Sequence, residues 1–232
     1  MKIQFVIHAD FELPGIIDIW AKESGFTTNI CRPFAGEQLP VVSDFDWLIV
    51  MGGPQTPLEP ERYPYLIKEI ALIRQSVEAD KTVLGFCLGA QLIGEAFGAR
   101  TERSPNKEVG IYPIHLTEEG KQDPLLQGMP STFSVMHWHN DMPGLTAASK
   151  VLAVSDGCPR QIIRYGEKVY GFQCHPESTL SDIKNMIANC ADDLVPARYV
   201  QTAEEILSGD YVTINKHMVA ILESLRRSLQ PA

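Results

Sequence analysis

The chain has 232 residues, 44% of them hydrophobic, which suits a globular protein with a sizeable core and excludes a disordered tail. Its 29 acidic residues outnumber 20 basic ones, giving a formal charge of −9, and no Lys or Arg run is long enough to track a phosphate backbone. Nucleic acid is therefore not an expected partner.

The chain opens MKIQFVIHADFELPG, an apolar core too short for a signal peptide and broken by His8 and Asp10. No later segment approaches about 18 uninterrupted apolar residues, so the expectation is a soluble, cytoplasmic protein with no membrane contact. Strand-like runs then follow in order: IQFVI (3 to 7), WLIVM (47 to 51), TVLGFC (82 to 87), IYPIHL, FSVMHW, VLAVS, RQIIRY and VYGFQC (169 to 174). Several are apolar throughout, as in a sheet covered on both faces.

Helical segments separate the early runs: PGIIDIWAKES with Pro14 near its start, YPYLIKEIALIRQSVEA, and LGAQLIGEAFG ending at Gly98. Strand alternating with helix predicts an α/β fold with a doubly wound, mostly parallel, flavodoxin-like sheet. Residues 110 to 174 offer strands without intervening helices and predict an antiparallel extension. After residue 178 the pattern turns helical through SDIKNMIANCADDL, AEEILSGD and NKHMVAILESLRRSL, a tail expected to pack on the sheet.

Five cysteines, Cys31, Cys87, Cys158, Cys174 and Cys190, form no C-x-x-C pair, which argues against a disulfide framework or a zinc ribbon. One of them stands out. Gly85-Phe86-Cys87-Leu88-Gly89 matches the G-x-S-x-G nucleophile elbow with Cys for Ser, a strand-like run before it and a helical run after it. A strand turning sharply into a helix crowds its central residue, so the flanking positions must lack a Cβ. The helix N-terminus favours an anion at the exposed sulfur, and the next amide, Leu88 N–H, can donate to an oxyanion. The competing expectation is a buried core cysteine beside packing glycines.

A thiolate nucleophile needs a histidine to carry a proton and a third group to orient the imidazole. Of six histidines, only His175, in GFQCHPES, follows a strand end with a carboxylate two residues on, Glu177, across the stiffening Pro176. Parallel sheets gather strand C-termini at one edge, where ligands bind, and that edge would hold both Cys87 and His175. Strand alternation turns Cys174 away from this face and into the core. His137, His139 and Asp141 share one face of a strand and could be joined by His115 as metal ligands, but spacing suggests no fourth ligand, and no metal is expected.

MGGP (51 to 54), GFCLGAQL (85 to 92) and QCHPE (173 to 177), in that order, resemble the class I glutamine amidotransferases, above all their free-standing, GMP-synthase-like members. The resemblance runs over roughly residues 1–185 and implies an amidotransferase-like domain there, with 186–232 a helical extension packed on it. It implies that Cys87 attacks the side-chain amide of glutamine, that His175 is general base and acid, and that Glu177 orients His175. It maps an oxyanion hole onto the amides of Gly53 and Leu88 and glutamine-holding roles onto Gln91 and the loop HWHNDM (137 to 142), with His139, Asn140 and Asp141 as candidates.

The chain departs from the family at Cys174, where an aromatic residue is common, and in its tail, which carries no synthetase module, P-loop or Rossmann motif. No cofactor is expected. The resemblance implies a glutaminase that passes ammonia to a separate acceptor protein. Two alternatives stay open: a γ-glutamyl hydrolase or peptidase acting on larger γ-glutamyl amides, and a non-catalytic regulator on the same fold. A homodimer through the tail helices is compatible with the sequence.

Overall fold

In the computed structural model, which describes residues 1–229, the sheet grows outward from β1 (Lys2–Val6). Residues Ile3 to Val6 are all buried, because helices cover both faces of the strand. The chain returns through α1 (Ile16–Glu23) to β2 (Thr27–Cys31), then runs through β3 (Trp47–Val50), α2 (Tyr65–Glu78), β4 (Thr82–Phe86) and α3 (Leu88–Ala96). Next come β5 (Glu102–Leu116), α4 (Glu118–Gln122), β6 (Thr132–Met142), β7 (Lys150–Val154), β8 (Ile162–Gly166) and β9 (Val169–Phe172).

These nine strands form one sheet in the order β2-β1-β3-β4-β9-β8-β7-β5-β6. The first five are mutually parallel and the remainder antiparallel, so the chain is an α/β protein with a flavodoxin-like half and an antiparallel extension. Two apolar cores lie on opposite faces. One joins Phe5, Ile49 and Phe86 to Ile17 and Trp20 of α1; the other joins Val6, Leu48 and Val83 to Leu72 and Ile73 of α2 and Leu92 of α3.

Three local expectations are corrected. The edge strand β2 was not expected from TTNIC, whose burial alternates and leaves only Cys31 fully buried. The middle is not free of helix: α4 is capped by the Thr117 hydroxyl, which accepts from Gly120 N–H. HWHNDM is not a loop but the last six residues of β6, paired with β5 up to Glu102↔Met142.

Past β9 the chain forms α5 (Leu180–Asn189), α6 (Ala203–Leu207) and α7 (Tyr211–Ser228). Met218, Ile221, Leu222 and Leu225 of α7 belong to the same core as Phe5 and Ile17, and Trp20 Nε1–H donates to Glu223 Oε1 at 2.7 Å. Each such buried side chain contributes roughly 1.5–3 kcal/mol, so the helix is held to α1 by apolar area first and by this bond second. No helix among the described residues is long and apolar enough to cross a membrane.

Candidate active site

The parallel strands β1, β3, β4 and β9 end at one edge, and each hands the chain to a residue of interest: His8, Gly52, Cys87 and His175. Cys87 turns β4 into α3 with φ 48° and ψ −106°, a left-handed conformation that costs an L-residue about 1–3 kcal/mol. The glycines around it are there for space. A Cβ at Gly85 would collide with the Gly89 carbonyl, and one at Gly89 with the Val50 carbonyl of β3. Cys87 N–H donates to Phe172 O at 2.7 Å, tying the elbow to the end of β9 three residues before His175.

His175 is fixed from both sides. Its backbone N–H donates to Met136 O at 2.7 Å, and its Nδ1–H donates to Glu177 Oε1 at 2.8 Å, with both side chains buried. Burial alone would push the imidazole toward its neutral form; the Glu177 carboxylate, and hydrogen bonding to Cys87 and Glu177, outweigh it and hold the pKa well above the usual histidine value. Nε2 has no partner of ordinary hydrogen-bond geometry, so Cys87 is near enough to act on the ring but short of a well-formed bond. The convergence is visible at Gly52, where a Cβ would lie 3.1 Å from His175 Cε1 and 3.4 Å from Cys87 Cβ.

A cleft of about 240 Å³ opens beside Cys87, and Gly53, Leu88, Gln91, His139, Asn140 and Asp141 all line it. Gln91 is buried on α3 and donates to Gln173 Oε1 at 3.1 Å. Asp141 accepts from Arg103 at 2.7 Å and from Thr56 Oγ1 at 2.9 Å, while Asn140 is exposed. The Trp138 carbonyl accepts from the Cys87 thiol at 3.6 Å. Neither Gly53 N–H nor Leu88 N–H finds an acceptor among the described residues. Cys174 sits in the core at 0% exposure, where burial raises its thiol well above the usual range.

The histidines of β6 meet a residue that spacing did not suggest. Glu108 lies opposite His139 across the β5–β6 pairing, and donor atoms of Glu108, His137 and His139 fall within 4.8 Å of one another. His115 instead faces Thr132 from an exposed position, and Asp141 turns to Arg103. As a metal site the cluster fits poorly, since Glu108 already accepts from Ser155 at 2.7 and 2.9 Å and from Gln161 at 2.7 Å and meets His139 Nε2 at 3.1 Å. Burial pushes Glu108 up, but the hydrogen bond to His139 and the charges of both imidazoles bring it below the usual carboxylate value. Burial takes His137 down to about 3.

Sequence reasoning missed Glu12, Cys190 and Asp193, which also line the cleft. Glu12 packs against Gly52, and burial raises its carboxyl despite the nearby His175 and His8. Asp193, from the turn after α5, accepts from Lys107 Nζ at 2.6 Å and Trp138 Nε1–H at 2.9 Å, so the tail forms part of the cleft wall. A free acid two residues after Asp10 in ADFELPG was the only available signal for Glu12.

A family model described as glutamine amidotransferase class-I matches residues 21–194. The glutamine amidotransferase-like protein YfeJ of Salmonella typhimurium is 45% identical over 232 residues, covering 97% of each chain. One subunit of the glutamine-hydrolyzing GMP synthase of Methanococcus maripaludis is 30% identical over 161 residues, 66% of this chain and 78% of that one. Among solved structures, SMU.1228c matches with a TM-score of 0.92 at 42% identity, over 97% of this chain and 100% of its own. A glutamine amidotransferase from Thermotoga maritima matches at 0.87 over 97% of each chain, at 23% identity, a likeness of fold. This chain belongs to the class I glutamine amidotransferase family.

Proposed function

We propose that the chain is a glutaminase that releases ammonia through a thioester on Cys87. The observation that carries the reading is the His175 ring, held by Glu177 at 2.8 Å on one nitrogen and raised in pKa partly by Cys87. Cys87 Sγ attacks the carboxamide carbon of glutamine and its proton passes to His175. The resulting oxyanion accepts from Gly53 N–H and Leu88 N–H, whose donors are unspent. Collapse breaks the C–N bond as His175 returns the proton, so ammonia leaves. Water then gives a proton to His175 and attacks the thioester, and glutamate departs as Sγ regains a proton. Gln91 and the His139–Asp141 end of β6 grip the amino-acid end of the substrate.

Ammonia passes to a separate acceptor protein, a reading supported by a relative named as a subunit of a glutamine-hydrolyzing synthase. The test is ammonia or amine release from glutamine and from a panel of γ-glutamyl amides with bulky leaving groups. The expected result is turnover of glutamine, no turnover of the bulky amides, and none of either by Cys87→Ala. Hydrolysis of the bulky amides alone would make the chain a γ-glutamyl hydrolase; no hydrolysis of any substrate would favour a non-catalytic regulator.

A further inference from the structure

One buried polar pair takes no part in the mechanism above. His8, two residues past the end of β1, is 1% exposed, and Glu69 sits at 1% exposure among Leu66, Leu72 and Ile73 on the inner face of α2, with His8 Nε2 and Glu69 Oε2 2.7 Å apart. The other ring nitrogen, Nδ1, lies 3.2 Å from the Gly52 carbonyl oxygen. A carbonyl oxygen only accepts, so Nδ1 carries a proton in this contact. Glu69 is compatible with that in either state of the pair: as a carboxylate it accepts from Nε2–H of an imidazolium, and as an acid it donates to the lone pair of a neutral ring. Both arrangements keep the Nδ1 proton aimed at Gly52.

Gly52 C=O and Gly53 N–H belong to one peptide unit, which is planar and trans, so the two bonds point in opposite directions. A Gly–Gly peptide has little intrinsic preference for either orientation. Among the described residues, His8 is the sole hydrogen-bond donor to the Gly52 carbonyl. Drawing that oxygen toward His8 sends Gly53 N–H the other way, and Gly53 lines the cleft that contains Cys87 and Leu88. A second clip holds the same loop, since Gln55 Nε2 donates back to the His8 carbonyl at 2.9 Å. The fit is close on every side: a Cβ at Gly53 would collide with His8 Cβ and Gln55 Oε1.

We propose that His8, held in its protonated-Nδ1 form by Glu69, is a positioning residue that locks the Gly52–Gly53 peptide with its N–H toward the reacting centre, so that the oxyanion hole is formed in the isolated chain. The inference rests on the glutaminase reading for its consequence in rate, but the peptide orientation itself does not. A chain wired this way hydrolyses glutamine without a partner protein.

Two variants separate position from folding. His8→Asn keeps an N–H near the place of Nδ1, whereas the double variant His8→Phe with Glu69→Leu replaces both partners by apolar groups and strands no charge. The double variant is expected to stay folded, with kcat for glutamine down about 10²-fold and KM within about twofold, the pattern of an interaction made in the transition state. His8→Asn is expected to stay within about tenfold of wild type. Crystal structures are expected to show Gly52 O turned toward residue 8 in wild type and His8→Asn and rotated away in the double variant. A folded double variant with wild-type kcat or an unrotated peptide overturns the inference, as does a His8→Asn protein as slow as the double variant. A wild-type chain whose Cys87 takes a glutamine-analogue label but which does not turn over glutamine alone also overturns it. A wild-type chain that does neither refutes the glutaminase reading instead, and the peptide orientation in the crystals then decides the role of His8.

Discussion

Gly89, in the first turn of α3, lies against β3 so closely that a Cβ there would collide with the Val50 carbonyl. That contact sets how near the nucleophile helix approaches the sheet, and so where the Cys87 sulfur stands. Because the obstacle is backbone and not a flexible side-chain end, Gly89→Ala must push α3 outward. We expect a loss of about 2–3 kcal/mol in unfolding free energy by urea denaturation. Wild-type stability in Gly89→Ala would show that the helix has slack.

Glu177→Gln preserves shape and removes the charge that does most to raise His175. We expect kcat for glutamine to fall by about 10²–10⁴-fold with KM little changed. Stability carries a separate signature. His175 has a folded pKa above its unfolded one, so its contribution is fully present below about pH 6.5 and is lost as pH rises through the raised value. The stability gap between wild type and Glu177→Gln is therefore expected to be wider near about pH 6 than at a pH above the raised value; a gap that widens with pH would contradict the pairing.

His137 titrates in the opposite sense. Burial lowers it from 6.5 to about 3, so the unfolded chain binds a proton that the folded one refuses. Stability from this residue is complete above about pH 6.5 and falls by up to about 1.4 kcal/mol per pH unit as the solution is acidified toward 3. His137→Gln is expected to flatten that acid limb by about one proton, read from urea midpoints between about pH 7 and pH 5. An unchanged slope would mean that His137 is protonated in the folded protein.

Much of this was legible in the sequence. The strands β1, β3, β4 and β9, buried throughout but for Lys2, read as apolar runs because both faces of the parallel half are covered, and the elbow read as Gly-x-Cys-x-Gly because its glycines answer local crowding. What stayed hidden depends on pairing across distance. The edge strand β2 alternates like an ordinary surface segment, since only one of its sides meets a neighbour. The polar first half of β5, with Pro105 in it, gave no strand signal, yet its register is what sets Glu108 opposite His139. Glu69 was visible only as a carboxylate interrupting the apolar stripe of Leu66, Leu72 and Ile73 on α2, and its partner His8 is 61 residues away.

Whether one thiol of five, Cys87, is the nucleophile is decided by treating the protein with a diazo-ketone analogue of glutamine, followed by intact-mass analysis and peptide mapping. A single adduct on Cys87 is expected, slowed by added glutamine and absent at that position in Cys87→Ala. No adduct, or adducts shared evenly among Cys31, Cys87, Cys158, Cys174 and Cys190, would contradict it.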